Sequence, residues 1–157
     1  MNRIKHKSLL TLLSVFLLML GGCDKMPENG DLDGMWQLMT IQTPEATLQV
    51  KEQRAYINFY MHLAEWRMPL RPHTDDFRYY SHFTLKGDSL CFFDLCHASA
   101  HTATGSDDIP VTAEEIAAGA MADWGIHTLH TRYRVLQLNA KHLTFEKADT
   151  VYAFRKF

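Results

Sequence analysis

Two cysteines and two histidines fall between Cys91 and His101, in the run Cys91-Phe92-Phe93-Asp94-Leu95-Cys96-His97-Ala98-Ser99-Ala100-His101. These side chains can hold a metal, close a disulfide or act as nucleophiles. Zinc needs four convergent ligands, and Cys96, His97 and His101 could supply three from a loop, with a fourth such as Asp94. Two cysteines in C-x4-C followed directly by H-x3-H match no standard zinc spacing, so no metal site is expected. A disulfide meets a geometric obstacle. On one straight strand Cys91 and Cys96 point to opposite faces and lie about 16 Å apart, whereas a bridge needs Cα atoms within about 7 Å. No Gly, Pro or Asn stands between them to build a turn. Both are expected as free strand cysteines, and the histidines as loop residues.

The other reactive side chains assemble into no known catalytic pattern. The chain has no G-x-S-x-G, H-E-x-x-H, P-loop or G-x-G-x-x-G. The pairs Asp75-Asp76 and Asp107-Asp108 read as solvated loop acids, and Glu114-Glu115 as a helix start. His62 and His82 fall on the polar faces of strands, and His127 and His130 on opposite sides of a strand start. No enzymatic activity and no cofactor are expected.

The third cysteine has a different setting. Arg3, Lys5 and Lys7 precede an apolar run from Leu9 to Leu20, and Leu20-Gly21-Gly22-Cys23 follows. A run of about 12 residues fits the core of an export signal and is short for a membrane span. The four-residue junction resembles a bacterial lipobox, which implies cleavage before Cys23 and acylation of its thiol. Three divisions follow: residues 1–22 as signal peptide, 23–31 as lipidated cysteine and flexible tether, and 32–157 as one domain. Without the signal, about 13 basic residues face 18 acidic ones, a formal charge of about −5. No basic patch is present, which excludes nucleic acid and electrostatic attachment to anionic lipid. Attachment to a membrane is expected through the lipid alone.

The domain alternates apolar and polar residues in short runs divided by turn residues, the pattern of an all-β fold. Strands are expected at Met35–Gln42, Thr47–Val50 and Tyr56–Leu63. In the third, Ile57, Phe59, Met61 and Leu63 share a face. A hairpin follows, with Tyr79, Ser81, Phe83 and Leu85 on one face, a turn at Lys86-Gly87-Asp88, and a return over Leu90–Leu95. Thr112 and Glu115 form a capping box for one helix, whose stripe Ile116, Ala120 and Trp124 ends at Gly125. Thr128–Leu138, Leu143–Lys147 and Val151–Phe157 complete the set, joined by connections short enough to imply antiparallel pairing. The expectation is an up-and-down antiparallel barrel of about eight strands, with the helix between the fifth and sixth.

Gly34-x-Trp36 on the first strand and Arg155 on the last resemble the lipocalin pattern. The combination Asp88-Ser89-Leu90, Val111–Ile116, Trp124-Gly125-Ile126 and Phe154–Phe157 further resembles a group of small Gram-negative lipoproteins with lipocalin-like domains. The resemblance implies that Gly34, Trp36 and Arg155 pack at the barrel base, with the arginine over the indole. It also implies a cell-envelope location, the outer membrane ahead of the inner. Phe59, Phe83, Phe93, Tyr133 and Phe145 are placed inward, where they would line a cavity for a small apolar or amphipathic ligand. The alternative is a barrel filled by these side chains, docking by its outer surface on an envelope protein.

Overall fold

The computed structural model describes residues 28–67, 78–98 and 109–157. Cys23, His101 and the acid pairs Asp75-Asp76 and Asp107-Asp108 lie outside the described residues. Among the described residues ten strands form one sheet: β1 Gly34–Gln42, β2 Thr47–Gln49, β3 Tyr56–Tyr60, β4 Leu63–Arg67, β5 Arg78–Lys86, β6 Ser89–His97, β7 Ile109–Pro110, β8 Thr131–Leu138, β9 His142–Lys147 and β10 Thr150–Lys156. Eight of them make a closed antiparallel ring in the order β1-β3-β4-β5-β6-β8-β9-β10, and β10 returns to pair with β1. The short β2 and β7 are additions to β1 and β6. Closure leaves the eight barrel strands without a free edge.

The alternating residues point as their period of two demands. Trp36 and Leu38, Ile57 and Phe59, Phe145 and Leu143, and Tyr152 and Phe154 are all buried. Among the described residues the one α-helix, α1 Ala113–Ala117, lies between β6 and β8, the fifth and sixth strands of the ring. Its capping box is complete: the Thr112 hydroxyl accepts from the Glu115 N–H, and the Glu115 carboxylate accepts from the Thr112 N–H.

Two elements differ from the sequence reading. Tyr56–Leu63 is not one strand, because Tyr60 pairs with Leu63 across a turn of only Met61 and His62. Met61 stands at φ +54, a conformation more natural to glycine. The apolar alternation runs unbroken through residues with no turn preference, which hides the hairpin. The turn resets the phase, so Ala64 and Trp66 are buried while Met61 and Leu63 are exposed.

The helix is likewise shorter than the stripe suggests. The Ala120 N–H bonds to the Glu115 carbonyl and the Gly119 N–H to that of Ile116, a Schellman closure at the end of α1. A 3-10 turn, Ala122–Trp124, then delivers Trp124 into the barrel and ends at Gly125. The break redirects the chain, so Ile116 and Trp124 are still both buried.

Gly125 combines a φ of +71 with a close approach, since a Cβ there would run into the Tyr152 hydroxyl. Gly125→Ala is therefore expected to cost about 2–4 kcal/mol through strain and overpacking together. Urea unfolding would show this as a lower midpoint with an unchanged slope, and an unchanged midpoint would refute the packing described.

Candidate functional site

The barrel interior is occupied by its own aromatic rings. Phe83 meets Phe59 edge-on at 5.1 Å, and Phe59 lies 6.1 Å from Phe92. Phe92 meets Trp66 at 4.8 Å, and Trp66 meets Trp124 at 5.0 Å. Trp124 stacks on Phe154 at 6.4 Å, Phe154 touches Phe145 at 4.9 Å, and Phe145 touches Tyr133 at 4.6 Å. Tyr133 meets Phe92 at 5.7 Å and closes the circuit. Ring separations of 4.5–7 Å are those of packed aromatic pairs. The structure thus places Phe59, Phe83, Tyr133 and Phe145 inside and buried, as two contacting pairs joined through Phe92.

Phe93 is a correction. It stands half-buried on the outer face, between His82 at 5.8 Å and His130 at 6.5 Å, while Phe92 takes the interior. Counting back by twos from Leu95 predicts Phe93 inside, and counting forward from Leu90 predicts Phe92. Both anchors are correct, because β6 carries one extra residue. Tyr80 pairs with Cys96 but His82 pairs with Phe93, and Asp94 absorbs the difference at φ +52. This is a β-bulge.

The bulge also changes the cysteine geometry. Phe92 and Leu95 both point inward, so their neighbours Cys91 and Cys96 both face outward, and not to opposite sides. No disulfide joins the two. Burial raises the Cys91 thiol pKa, but hydrogen bonds from Ser89 and Arg132 and the charges of Arg132 and Lys86 outweigh it, leaving the thiol below its ordinary value. His97 is not a loop residue but the last residue of β6; its Nε2 lies 2.9 Å from the Glu115 carboxylate, and its ring rests 5.0 Å from Tyr79. Among the described residues no cluster of three or more His, Cys, Asp or Glu side chains is arranged to hold a metal ion.

At the barrel base, Trp36 is buried and its Nε1 donates to the Leu32 carbonyl at 2.7 Å. The cation over its ring is Lys156, 4.9 Å from the centroid, and not Arg155. Strand parity explains the correction. Lys156 pairs with Trp36 across the seam, whereas Arg155 pairs with Gln37 and is exposed. Lys156 continues to the Asp31 carbonyl at 2.8 Å. Its stem crosses Gly34, where a Cβ would stand 3.1 Å from Lys156 Cε. Gly34 leaves the lysine its path to the indole.

A surface pocket of about 370 Å³ lies outside this core, lined among others by Asp88, Ser89, Arg132, Arg134, Glu146 and Lys147. Sequence reasoning did not find it. Arg132 and Arg134 look like ordinary outward cations of a strand. Only the register, which sets Ser89 and Glu146 on either side of Arg134, gathers them. Arg134 pairs with Glu146. Lys147 donates to the Gly125 carbonyl at 2.6 Å with its ammonium 5.8 Å from the Tyr133 ring centre, and burial lowers its pKa. The pocket's charges are thus partly spent on holding the structure together.

A closed eight-stranded antiparallel barrel, with Gly-x-Trp opening the first strand and a cation from the last laid on the indole, defines a lipocalin-type protein. The chain belongs to the lipocalin-like domain family, whose model matches residues 17–157. A lipocalin-like protein from Bacteroides uniformis superposes with a TM-score of 0.60 at 20% identity, covering 82% of this chain and 100% of that one. An uncharacterized protein from Bacteroides eggerthii gives 0.57 at 20%, covering 80% and 99%. These likenesses establish the fold. Among the curated proteins none matches the sequence.

The His97–Glu115 pair generates a pH prediction. The Thr112 backbone N–H holds the Glu115 carboxyl below its ordinary 4.5; desolvation opposes this, and the Thr112 hydroxyl and His97 add to it. A carboxyl lowered on folding contributes stability above its unfolded pKa and loses it as pH falls through the folded one. Melting temperature should therefore decline below about pH 4.5, and Glu115→Gln should flatten part of that decline. Identical acid limbs for the two proteins would rule this out.

Proposed function

We propose that this protein is a lipid-anchored component of the bacterial cell envelope whose barrel works by its outer surface, as an interaction module, and not as a carrier of ligand in its interior. The observation that carries the reading is the closed circuit of rings that Trp124 completes between Trp66 and Phe154. A lipocalin-type carrier keeps volume inside its barrel for a small hydrophobic ligand. Here the third tryptophan, brought in by the segment between β6 and β8, stands between Trp66 and Phe154 where such a ligand would lie. Small barrels filled by side chains are a stable solution of the same geometry.

The anchoring part of the reading rests on the sequence around Cys23. No helix among the described residues is long and apolar enough to cross a membrane. An acylated Cys23 would supply attachment, and more than one acyl chain makes it lasting. The outer membrane is preferred to the inner, with the protein either periplasmic or on the cell surface.

Native mass spectrometry of the full-length protein in detergent tests the whole reading. The expected mass is that of the acylated chain beginning at Cys23, with no additional small molecule. Cys23→Ser should abolish palmitate incorporation. Trp124→Ala should cost about 3–5 kcal/mol and open a cavity, and added indole should restore part of the lost melting temperature by refilling it. A tightly held apolar molecule in the wild-type protein would overturn the filled-barrel reading and revive the carrier.

A further inference from the structure

The β3–β4 hairpin carries an apolar tip that is largely exposed among the described residues. Tyr60 is 62% exposed, Met61 50% and Leu63 43%, and Tyr60 and Leu63 are a directly paired couple flanking the turn. Isolated exposed apolar residues need no explanation, but three around one turn are a patch. The tip also carries this surface at a conformational cost. Met61 holds φ +54, where glycine or asparagine would sit without strain.

The start of the described chain is pinned to this tip. Asn29 Nδ2 donates to the Met61 carbonyl at 2.7 Å, and the Glu28 carboxylate lies 3.3 Å from His62. Asn29 is itself fixed by Asp33, which accepts from its side chain at 2.6 Å and from its backbone N–H at 3.0 Å. Six residue steps separate Asn29 from Cys23, a reach of at most about 21 Å. An acyl group on Cys23 would therefore hold this hairpin within one short tether of the bilayer, while the opposite end of the barrel, with Leu48 on β2, points away.

We infer that the Tyr60-Met61-His62-Leu63 tip is a membrane-contact surface that seats the anchored barrel on lipid in one orientation. The inference rests on the acylation of Cys23 proposed above. Tyrosine beside aliphatic side chains suits the interface between headgroups and acyl chains. The chain has no basic run, so the contact is apolar and does not require anionic lipid.

Full-length acylated protein reconstituted into phosphatidylcholine vesicles provides the test, with Tyr60→Trp and Leu48→Trp as reporters. The native tryptophans Trp36, Trp66 and Trp124 are buried and give a constant background. Expected for Tyr60→Trp is blue-shifted emission in ordinary vesicles that brominated lipid then quenches, with Leu48→Trp unaffected. Leu63→Trp should behave as Tyr60→Trp does, which guards against a folding defect in one variant. Protein that floats with the vesicles but shows no quenching at either tip position overturns the membrane contact and leaves the anchor standing. So does quenching equal at residues 48 and 60. A tip reporter shielded from lipid in a chain that sedimentation shows to be dimeric assigns the patch to a second copy instead. Protein that fails to float overturns the anchor and the tip together.

Discussion

The packing of this barrel depends on one indole. Trp124 arrives from outside the strands, yet its ring lies among residues of β4 and β10, between Trp66 and Phe154. Two hydrogen bonds hold its backbone at the rim. The Tyr133 hydroxyl donates to the Trp124 carbonyl at 2.6 Å, and the Lys147 ammonium donates to the next carbonyl. Tyr133 faces the interior, so the same side chain both packs the core and fastens the segment that plugs it. Burial, with the neighbouring Tyr152 adding to it, raises the Tyr133 pKa well above its ordinary value, so the hydroxyl keeps its proton for that bond. The other two indoles donate their N–H groups to Ser81 and Leu32, whereas that of Trp124 has no acceptor among the described residues. A buried donor without a partner costs about 1–3 kcal/mol. Aromatic packing on several sides outweighs that cost.

Most of the architecture was legible in the alternation of residues. β5, β9 and β10 follow it closely, and the capping box marked the start of α1. The failures share one physical cause. A strand pattern fixes which residues face inward only while its phase is unbroken, and this barrel breaks phase at places without sequence markers. Met61 turns a hairpin although it is no turn former. Asp94 adds a residue to β6, which puts Phe92 rather than Phe93 inside and brings Cys91 and Cys96 to the same face. Lys156 rather than Arg155 covers Trp36 because the seam register sets the pairing, and no single strand contains that register.

The surface pocket illustrates the other limit. Its lining comes from β6, β8 and β9 and from the turns that join β5 to β6 and β9 to β10. Each residue looks unremarkable on its own strand. The hairpin tip was hidden differently, since its apolar side chains read as core until the turn separated them from it. The two ends of the barrel thus differ in character. One is closed by Trp124 and its bonded rim, and the other presents exposed apolar residues beside the point where the chain enters the domain.

The pairing of β1 with β10 has a consequence for how the molecule is made. Trp36 and Lys156 are partners across the ring although most of the domain separates them in sequence. Until β10 is available, β1 and β9 are both open edges, and Trp36 lacks the cation that covers its ring. Closing a contact of such long range comes late and slowly. During synthesis the chain therefore passes through an unfinished sheet with sticky margins, a stage at which chaperones would bind and proteases would cut. β10 acts as a checkpoint, since only a chain in which that strand has been made can cover both margins at once.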